Sequence, residues 1–213
     1  MSETHRTFIP AAGYDWLLPL YDPFQKLFLG GWAYQQLVDQ ADLHPQQRLL
    51  EIGCGTGNVA ILAKRQHPQV EVVGLDPDPK ALERARRKFA NEAFPVQLDR
   101  GFSDVLPYHD RSFDRAISSL MFHHLSLDEK SKTLREIHRV LKPGGSLHLM
   151  DFGGQTERSH GLLARVLDHS EHVRGNAGDR IPALMRDAGF ADAAEVAHRT
   201  SIFGRVAFFR GSV

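Results

Sequence analysis

The chain has 213 residues, 42% of them hydrophobic and 24% charged, which is an ordinary balance for one globular domain. Lys and Arg together number 26, as do Asp and Glu, and a formal net charge of zero argues against a general nucleic-acid binder. The single cysteine, Cys54, excludes an intramolecular disulfide. No signal peptide and no apolar stretch of membrane-spanning length is visible, so we expect a cytoplasmic protein without an integral membrane segment.

Residues 1–45 form an aromatic-rich segment that Pro19 and Pro23 divide into short helical pieces. We interpret this segment as a helical lid that closes over SAM and an apolar or aromatic substrate; alternatively, its aromatic side chains only pack against the sheet. Residues 46–152 then alternate strands with helices. Strands are predicted at Arg48–Ile52, Glu71–Leu75, Val96–Asp99, Asp114–Ser118 and Ser146–Asp151. Helices are predicted at Asn58–Gln66, at Pro79–Ala90, and after a capping box made by Ser126 and Glu129.

The last sixty residues depart from this alternation. Residues 153–180 are polar and glycine-rich, and we interpret them as a surface excursion on the substrate side. Residues 181–213 hold a last helix, Ile181–Ala188, and two strands near Glu195–Ser201 and Arg205–Arg210. The short connection between these strands requires them to be antiparallel. The whole pattern predicts one α/β domain over residues 1–213, with a doubly wound, mostly parallel sheet that ends in an antiparallel hairpin.

The segment Glu51-Ile-Gly-Cys-Gly-Thr-Gly57 follows the first strand, and Asp76 ends the second. Glycines in such a turn let a ligand approach the backbone, and an acid at the tip of the next strand accepts hydrogen bonds from ribose hydroxyls. The spacing is G-x-G-x-G, and Asn58 stands where a dinucleotide fingerprint needs Gly or Ala. The pattern therefore predicts a nucleoside site and disfavours a nicotinamide-dependent dehydrogenase.

The strings LLEIGCGTG and VVGLDPDP resemble the first two motifs of class I S-adenosylmethionine (SAM)-dependent methyltransferases. The segments around Ser118–Leu125 and Leu141–Gly145 resemble the same family, so the resemblance covers roughly residues 47–152. It implies a Rossmann-like, seven-stranded fold, SAM as cofactor and methyl transfer as the activity. A Tyr-Asp pair such as Tyr21-Asp22 looks like part of the lid of small-molecule members.

The resemblance also implies which residues bind the cofactor. Glu51 meets the amino group of the ligand or, alternatively, accepts from amides of the turn, and Asp76 takes the ribose hydroxyls. In many members the loop after the third strand carries an acid where this chain has Phe102, so Phe102 stacks on adenine or Ser103 and backbone groups substitute. The predicted cofactor residues are Glu51, Gly53, Cys54, Gly55, Gly57, Asp76, Pro77, Phe102, Ser103, Ser118 and Tyr21.

The sulfonium of SAM is already activated, so positioning supplies most of the catalysis and a general base is needed only for a protonated acceptor. His123 and His124 follow the fourth strand and are the candidate bases, because histidine titrates near neutral pH. We predict no metal site, since the sequence shows no carboxylate or cysteine at ligand spacing beside the pair.

We expect the methyl acceptor to be a small molecule, apolar or aromatic, such as a quinone, phenol, amine or lipid. The segment after the fourth strand, Ser118-Ser-Leu-Met121, lacks the Asn/Asp-Pro-Pro motif of enzymes that methylate amino groups of nucleic acid bases. Three alternatives stay open. The chain is a SAM-binding regulator or degenerate partner subunit, it is an aminopropyl transferase of the same fold, or its N-terminal amphipathic stretch makes a peripheral membrane contact.

Overall fold

The computed structural model of the protein describes residues 31–92, 94–153, 180–201 and 204–213. Most of the predicted lid, with Tyr21, and nearly all of the predicted excursion after the fifth strand lie outside these residues. The described elements, in chain order, are α1 (Trp32–Gln40), β1 (Arg48–Ile52), α2 (Asn58–Gln66), β2 (Glu71–Asp76), α3 (Pro79–Glu92), β3 (Val96–Arg100), β4 (Phe113–Ser119), a 3-10 turn (Phe122–His124), α4 (Leu127–Val140), β5 (Leu141–Phe152), α5 (Arg180–Asp187), β6 (Ala191–Ser201) and β7 (Gly204–Ser212).

All seven strands join one sheet in the order β3-β2-β1-β4-β5-β7-β6. The first five strands run parallel to one another, and β7 runs antiparallel to both β5 and β6. The chain leaves β1 to build β2 and β3 on one side and returns to build β4 on the other. The order of the strands thus reverses between β1 and β4, where such sheets place their ligands at the carboxyl ends.

The helices cover both faces of the sheet, because the central strands are apolar on both sides. Buried side chains of α1, α2 and α3, such as Leu37, Val59 and Phe89, pack on one face. Side chains of α4 and α5, such as Ile137 and Met185, pack on the other. Burial on both faces is what near-continuous apolar strands require. The doubly wound α/β fold with its antiparallel C-terminal hairpin is confirmed.

Several boundaries differ from the sequence prediction. The capping box is present, with Ser126 accepting from the backbone of Glu129 and Glu129 accepting in return, so α4 starts where predicted. Strand β5 begins at Leu141 rather than at Ser146, because Leu141 pairs with Phe113 before the Gly144-Gly145 irregularity. Within the described residues, no helix combines the length and the apolar character needed to cross a membrane.

Candidate active site

The glycine turn, residues 53–57, connects β1 to α2 at the carboxyl edge of the sheet. Gly53, Gly55 and Gly57 have φ angles of 69°, 51° and 79°, a left-handed backbone that side chains with a Cβ rarely adopt. The amides of Gly53 and Cys54 both donate to the carbonyl of Leu75, at 2.8 and 3.0 Å. The turn is therefore held against the end of β2, where the next site residues begin.

Asp76 ties the glycine turn to the start of α3. One carboxylate oxygen, Oδ2, accepts from the Gly55 amide at 2.8 Å, and Oδ1 accepts from the Asp78 amide at 2.9 Å. Each carboxylate oxygen has two acceptor positions, so capacity for further donors remains. Burial raises the pKa of Asp76 to about 6, although its hydrogen bonds with those two amides act to lower the pKa.

Two buried carboxylate oxygens at this edge lack a hydrogen-bond partner in the described part of the chain: Glu51 Oε2 and Asp78 Oδ2. Glu51 is 1% exposed and Asp78 is 2% exposed. Burial raises the pKa of Glu51 to about 8, and the neighbouring Asp76 raises it further. A buried polar atom without a partner is costly, so both oxygens indicate a missing donor at this edge.

Cys54 and Ser118 are engaged within the protein. Cys54 is buried, and its sulfur would lie 2.9 Å from a Cβ placed on Gly74, so it fills the space over β2. Burial raises the pKa of its thiol well above the usual value, which removes it as a nucleophile at neutral pH. The Ser118 hydroxyl donates to the Ile52 carbonyl at 2.9 Å and joins β4 to β1.

The loop after β3 runs beside Asp76. The Gly101 amide donates to the Asp76 carbonyl at 3.2 Å, and the half-buried Phe102 follows directly. The Ser103 hydroxyl lies 2.8 Å from that of Thr133 on α4, so this side chain turns toward the helix. Pro77 is half-buried, and its carbonyl accepts from Arg100 at 3.3 Å.

The histidine loop, residues 120–125, follows β4 and touches the glycine turn. Leu120 has a φ of 51°, an uncommon conformation for a branched residue that often accompanies functional sites. A Cβ placed on Gly53 would lie 2.5 Å from Cγ of Met121, so the Met121 side chain covers Gly53. The loop that follows β4 and the turn that follows β1 thus form one continuous surface.

His123 is bound to Asp151 at the end of β5. Its ring Nδ1 lies 2.7 Å from Asp151 Oδ1, and its backbone amide donates to Oδ2 at 3.1 Å. The Asp151 side chain is fully buried, whereas that of His123 is 13% exposed. This carboxylate comes from a neighbouring strand and not from ligand spacing along the sequence, and the described residues contain no group of three His, Cys, Asp or Glu side chains that could hold a metal.

Sequence reasoning did not indicate the pairing of Asp151 with His123, because the two residues lie 28 positions apart. A signal for the pairing existed: β4 and β5 are neighbouring parallel strands, His123 follows the carboxyl end of β4, and Asp151 lies at the carboxyl end of β5. His124 stacks on His123, with ring centroids 3.9 Å apart, and the Phe152 ring meets His123 edge-on at 5.3 Å.

The chemistry of this edge fits SAM. The two partnerless oxygens need donors, and the cofactor carries an ammonium group and two ribose hydroxyls. The cluster of Glu51, Asp76 and Asp78 also provides negative charge for a ligand that bears a sulfonium and an ammonium. Gly53, Gly55 and Gly57 present a backbone without side chains on the same surface.

Comparison with known proteins identifies the family of this chain. A family model described as a methyltransferase domain matches residues 49–145. The demethylmenaquinone methyltransferase of Deinococcus radiodurans is 31% identical over 201 residues, covering 82% of this chain and 81% of that protein. The Thermus thermophilus enzyme of the same name is 32% identical over 154 residues, 70% of this chain and 69% of that protein.

A solved structure, that of the YcgJ protein from Bacillus subtilis, superposes with a TM-score of 0.70 over 84% of this chain and 97% of its own. At 18% identity this likeness shows the fold alone. The relative from Deinococcus, at 31% identity and with most of both chains covered, shows the family. The chain belongs to the class I SAM-dependent methyltransferases.

Proposed function

We propose that this protein transfers a methyl group from SAM to a small aromatic acceptor of the quinone type. The cofactor and the reaction class follow from the family. The acceptor is inferred from two observations: the relatives at 31% and 32% identity are named demethylmenaquinone methyltransferases, and the surface beside the glycine turn is apolar and aromatic. Within the predicted lid, residues 1–45, α1 packs on the sheet; the segment before residue 31 lies outside the described residues and stays a prediction that would enclose such an acceptor.

The cofactor, in this proposal, lies along the carboxyl edge from β1 to β3. Glu51 accepts from its ammonium, because Oε2 is buried and lacks a donor. Asp76 accepts from the ribose hydroxyls with the lone pairs that Gly55 and Asp78 leave unused. Phe102 stacks on the adenine, since it follows the residue hydrogen-bonded to Asp76. When bound, SAM supplies an electrophilic methyl group on a positively charged sulfur.

The observation that carries the acceptor assignment is the contact of Met121 with Gly53. It brings the histidine loop against the turn that binds the methionine part of the cofactor. Met121, Phe152 and the stacked rings of His123 and His124 then lie on the side from which an acceptor approaches the methyl group. A flat apolar ring suits this surface, and alignment of ring and methyl group provides the catalytic advantage.

The test is a turnover assay with SAM and a panel of acceptors: naphthoquinones in oxidised and reduced form, simple phenols, and aliphatic amines. We expect the product of a quinone-type acceptor to gain one methyl group, detected by mass spectrometry, with S-adenosylhomocysteine formed in equal amount. Methylation of amines alone would contradict the proposal. Binding of SAM by calorimetry without turnover of any acceptor would favour a regulatory subunit, and turnover of decarboxylated SAM with a polyamine would identify an aminopropyl transferase.

A further inference from the structure

We propose that His123 is the general base of the reaction and that Asp151 is its positioning residue, so that the acceptor is the reduced, hydroxyl-bearing form of the ring. This inference rests on the proposed function and specifies the acceptor state at the same site. It distinguishes His123 from His124, which sequence reasoning treated alike.

Asp151 fixes both the backbone and the ring of His123. Because an ionised carboxylate only accepts hydrogen bonds, the 2.7 Å contact from Nδ1 to Oδ1 places the ring proton on Nδ1. The other nitrogen, Nε2, of a neutral imidazole is then an acceptor. The 3.1 Å hydrogen bond from the backbone amide of His123 to Oδ2 fixes the backbone of the residue, so two hydrogen bonds together determine the orientation of the ring.

Further contacts hold the Asp151 carboxylate and the His123 ring in place. The Phe152 amide donates to Oδ1 at 2.6 Å, which adds a third donor to a fully buried carboxylate. Two further titratable groups face the pair: His124, stacked on the ring, and Lys130 on α4. Burial lowers the pKa of Lys130, while the carboxylate of Asp151 acts in the opposite direction, so the two charges favour each other.

A base in this position has a use only if the acceptor carries a proton to lose. A hydroquinone does, whereas an oxidised quinone does not. As the O–H bond of the acceptor breaks, its proton goes to Nε2, and the electron pair left behind raises the electron density of the adjacent ring carbon. That carbon forms the new bond to the methyl carbon while the carbon–sulfur bond breaks and its electron pair stays on sulfur.

The remaining proton transfers close the balance. The hydrogen on the methylated ring carbon leaves as a proton, and the oxygen regains its own proton from Nε2. His123 is neutral again, and each turnover releases one proton overall. Asp151 exchanges no proton in any step; it stabilises the imidazolium while that charge exists and returns the ring to the same tautomer.

The experiment compares His123→Ala and Asp151→Asn with a matched control, His44→Ala. His44 also pairs with an aspartate, Asp42, at 3.4 Å, but both side chains are mostly exposed and precede β1 at the opposite edge of the sheet. The readouts are kcat against pH with reduced naphthoquinone, and the dissociation constant for SAM. Asp151→Asn avoids leaving Lys130 beside a cavity, and SAM binding reports that each variant folds.

We expect His123→Ala to lower kcat at neutral pH by about a hundredfold or more, with the SAM dissociation constant changed by less than about threefold. Its rate should recover as pH approaches the pKa of the acceptor hydroxyl, because an ionised acceptor needs no base. Asp151→Asn should lower kcat more than it raises KM, since an amide in place of the carboxylate permits the other tautomer. His44→Ala should match the wild-type protein.

Three results would overturn the assignment: a loss of less than about tenfold in His123→Ala, the same pH profile in that variant as in the wild type, or a larger loss from His124→Ala than from His123→Ala. Wild-type turnover of the oxidised quinone at the rate of the reduced one would also exclude a proton-abstracting step. A wild-type protein that binds SAM and methylates no hydroquinone refutes the proposed function itself, which separates the two failures.

Discussion

The two halves of the site are constructed differently. On the cofactor side, Glu51, the glycine turn and Asp76–Asp78 come from one β-α-β segment, and most of their contacts join carboxylates to backbone amides. On the acceptor side, His123 and Asp151 lie 28 positions apart, with the whole of α4 between them, and their ring contact joins two side chains. The cofactor side is thus local in sequence, whereas the acceptor side exists only after β4 and β5 have paired.

This difference predicts different sensitivities to substitution. Changes on the cofactor side disturb backbone geometry, so they should reduce SAM affinity and stability together. Changes to His123 should reduce turnover alone. Met121 and Gly53 are the exception, because they are where the two sides touch.

The largest effect is expected from Asp76→Ala. This substitution removes the acceptor of two amides, those of Gly55 and Asp78, and leaves them buried without a partner, at about 1–3 kcal/mol each. The ribose hydroxyls lose their acceptor as well. We expect SAM affinity to fall about a hundredfold, about 2.7 kcal/mol, and the melting temperature to decrease.

Asp76→Asn is the control for that change, because it keeps one acceptor oxygen and should fall between the wild type and Asp76→Ala in both measurements. Calorimetric titration with SAM and thermal unfolding monitored by circular dichroism provide the data. Unchanged affinity in Asp76→Ala would remove Asp76 from the cofactor site. A loss of affinity without any loss of stability would show that the hydrogen bonds from the two amides to Asp76 do not stabilise the fold.

A somewhat smaller loss is expected from Gly53→Ala, which tests the contact between the two sides. The left-handed φ of 69° costs a residue with a Cβ about 1–2 kcal/mol, and the new methyl group would overlap the Met121 side chain. SAM affinity and kcat should both fall, affinity by about tenfold.

Combining Gly53→Ala with Met121→Ala should restore part of the loss, because the smaller side chain relieves the overlap but not the backbone strain. A double-mutant cycle on the SAM dissociation constant measures this coupling. Strictly additive effects of the two substitutions would mean that Met121 does not press on Gly53 in solution, and the two sides would then be independent.

Glu51→Gln is expected to change the pH dependence of stability. Because burial raises the pKa of Glu51 from 4.5 to about 8, the native protein binds more protons than the unfolded chain between these values. Its contribution therefore lowers the free energy of unfolding as pH rises through this window. The glutamine carries no proton to lose, so the variant should lose less stability between about pH 6.5 and pH 9.

His148 also changes stability with pH, at lower values than Glu51. Burial lowers the pKa of His148 from 6.5 to about 3, so its contribution to the free energy of unfolding increases as pH rises over that range. Above about pH 7.5 His148 is neutral in both states and its contribution is constant, and it is the same in the wild type and in Glu51→Gln at every pH. Glu83→Gln, on the exposed side of α3, is the matched control and should follow the wild type. Identical pH slopes for the wild type and Glu51→Gln, measured by urea unfolding, would mean that Glu51 is ionised throughout. Glu51→Gln should also weaken SAM binding by about tenfold, since an ammonium beside Glu51 favours the ionised carboxylate, whereas a glutamine cannot ionise.

The sequence predicted the glycine turn and the parallel sheet well because their determinants are local. The glycines, the acid ending β2 and the Ser126–Glu129 capping box each act within a few residues, and the strand-helix alternation gave the parallel sheet. The ends of the strands were less predictable: β5 begins as early as Leu141, because Leu141 pairs with Phe113, and no local sequence pattern encodes that pairing. The His123–Asp151 pair was missed for the same reason, because it depends on the register of two strands rather than on spacing along the chain.

The smallest effect is expected from a substitution of Phe102, which we propose stacks on the adenine base of the cofactor. Two side chains near Phe102 that could accept from the adenine amino group already have partners: Ser103 lies 2.8 Å from Thr133, and Asp99 accepts from Tyr108 at 2.9 Å. We therefore expect stacking rather than a side-chain hydrogen bond to hold the base. Phe102→Leu should weaken binding of S-adenosylhomocysteine by about fivefold, in line with about 1 kcal/mol for a base stacked on an aromatic ring.

A second ligand makes this prediction specific. The 6-deamino analogue of S-adenosylhomocysteine lacks the amino group but keeps the purine ring, so a stacked base should bind wild-type protein within about threefold of the parent ligand. The reason is that a stacked base makes no hydrogen bond through its amino group to a protein side chain, so its absence leaves no acceptor of the protein unpaired. Phe102→Asp should introduce discrimination, because the new carboxylate can accept from the amino group of the parent alone. Rejection of the analogue by the wild type would show that adenine is read by a hydrogen bond, and the cofactor side would then depend on a distant acceptor just as the acceptor side depends on Asp151.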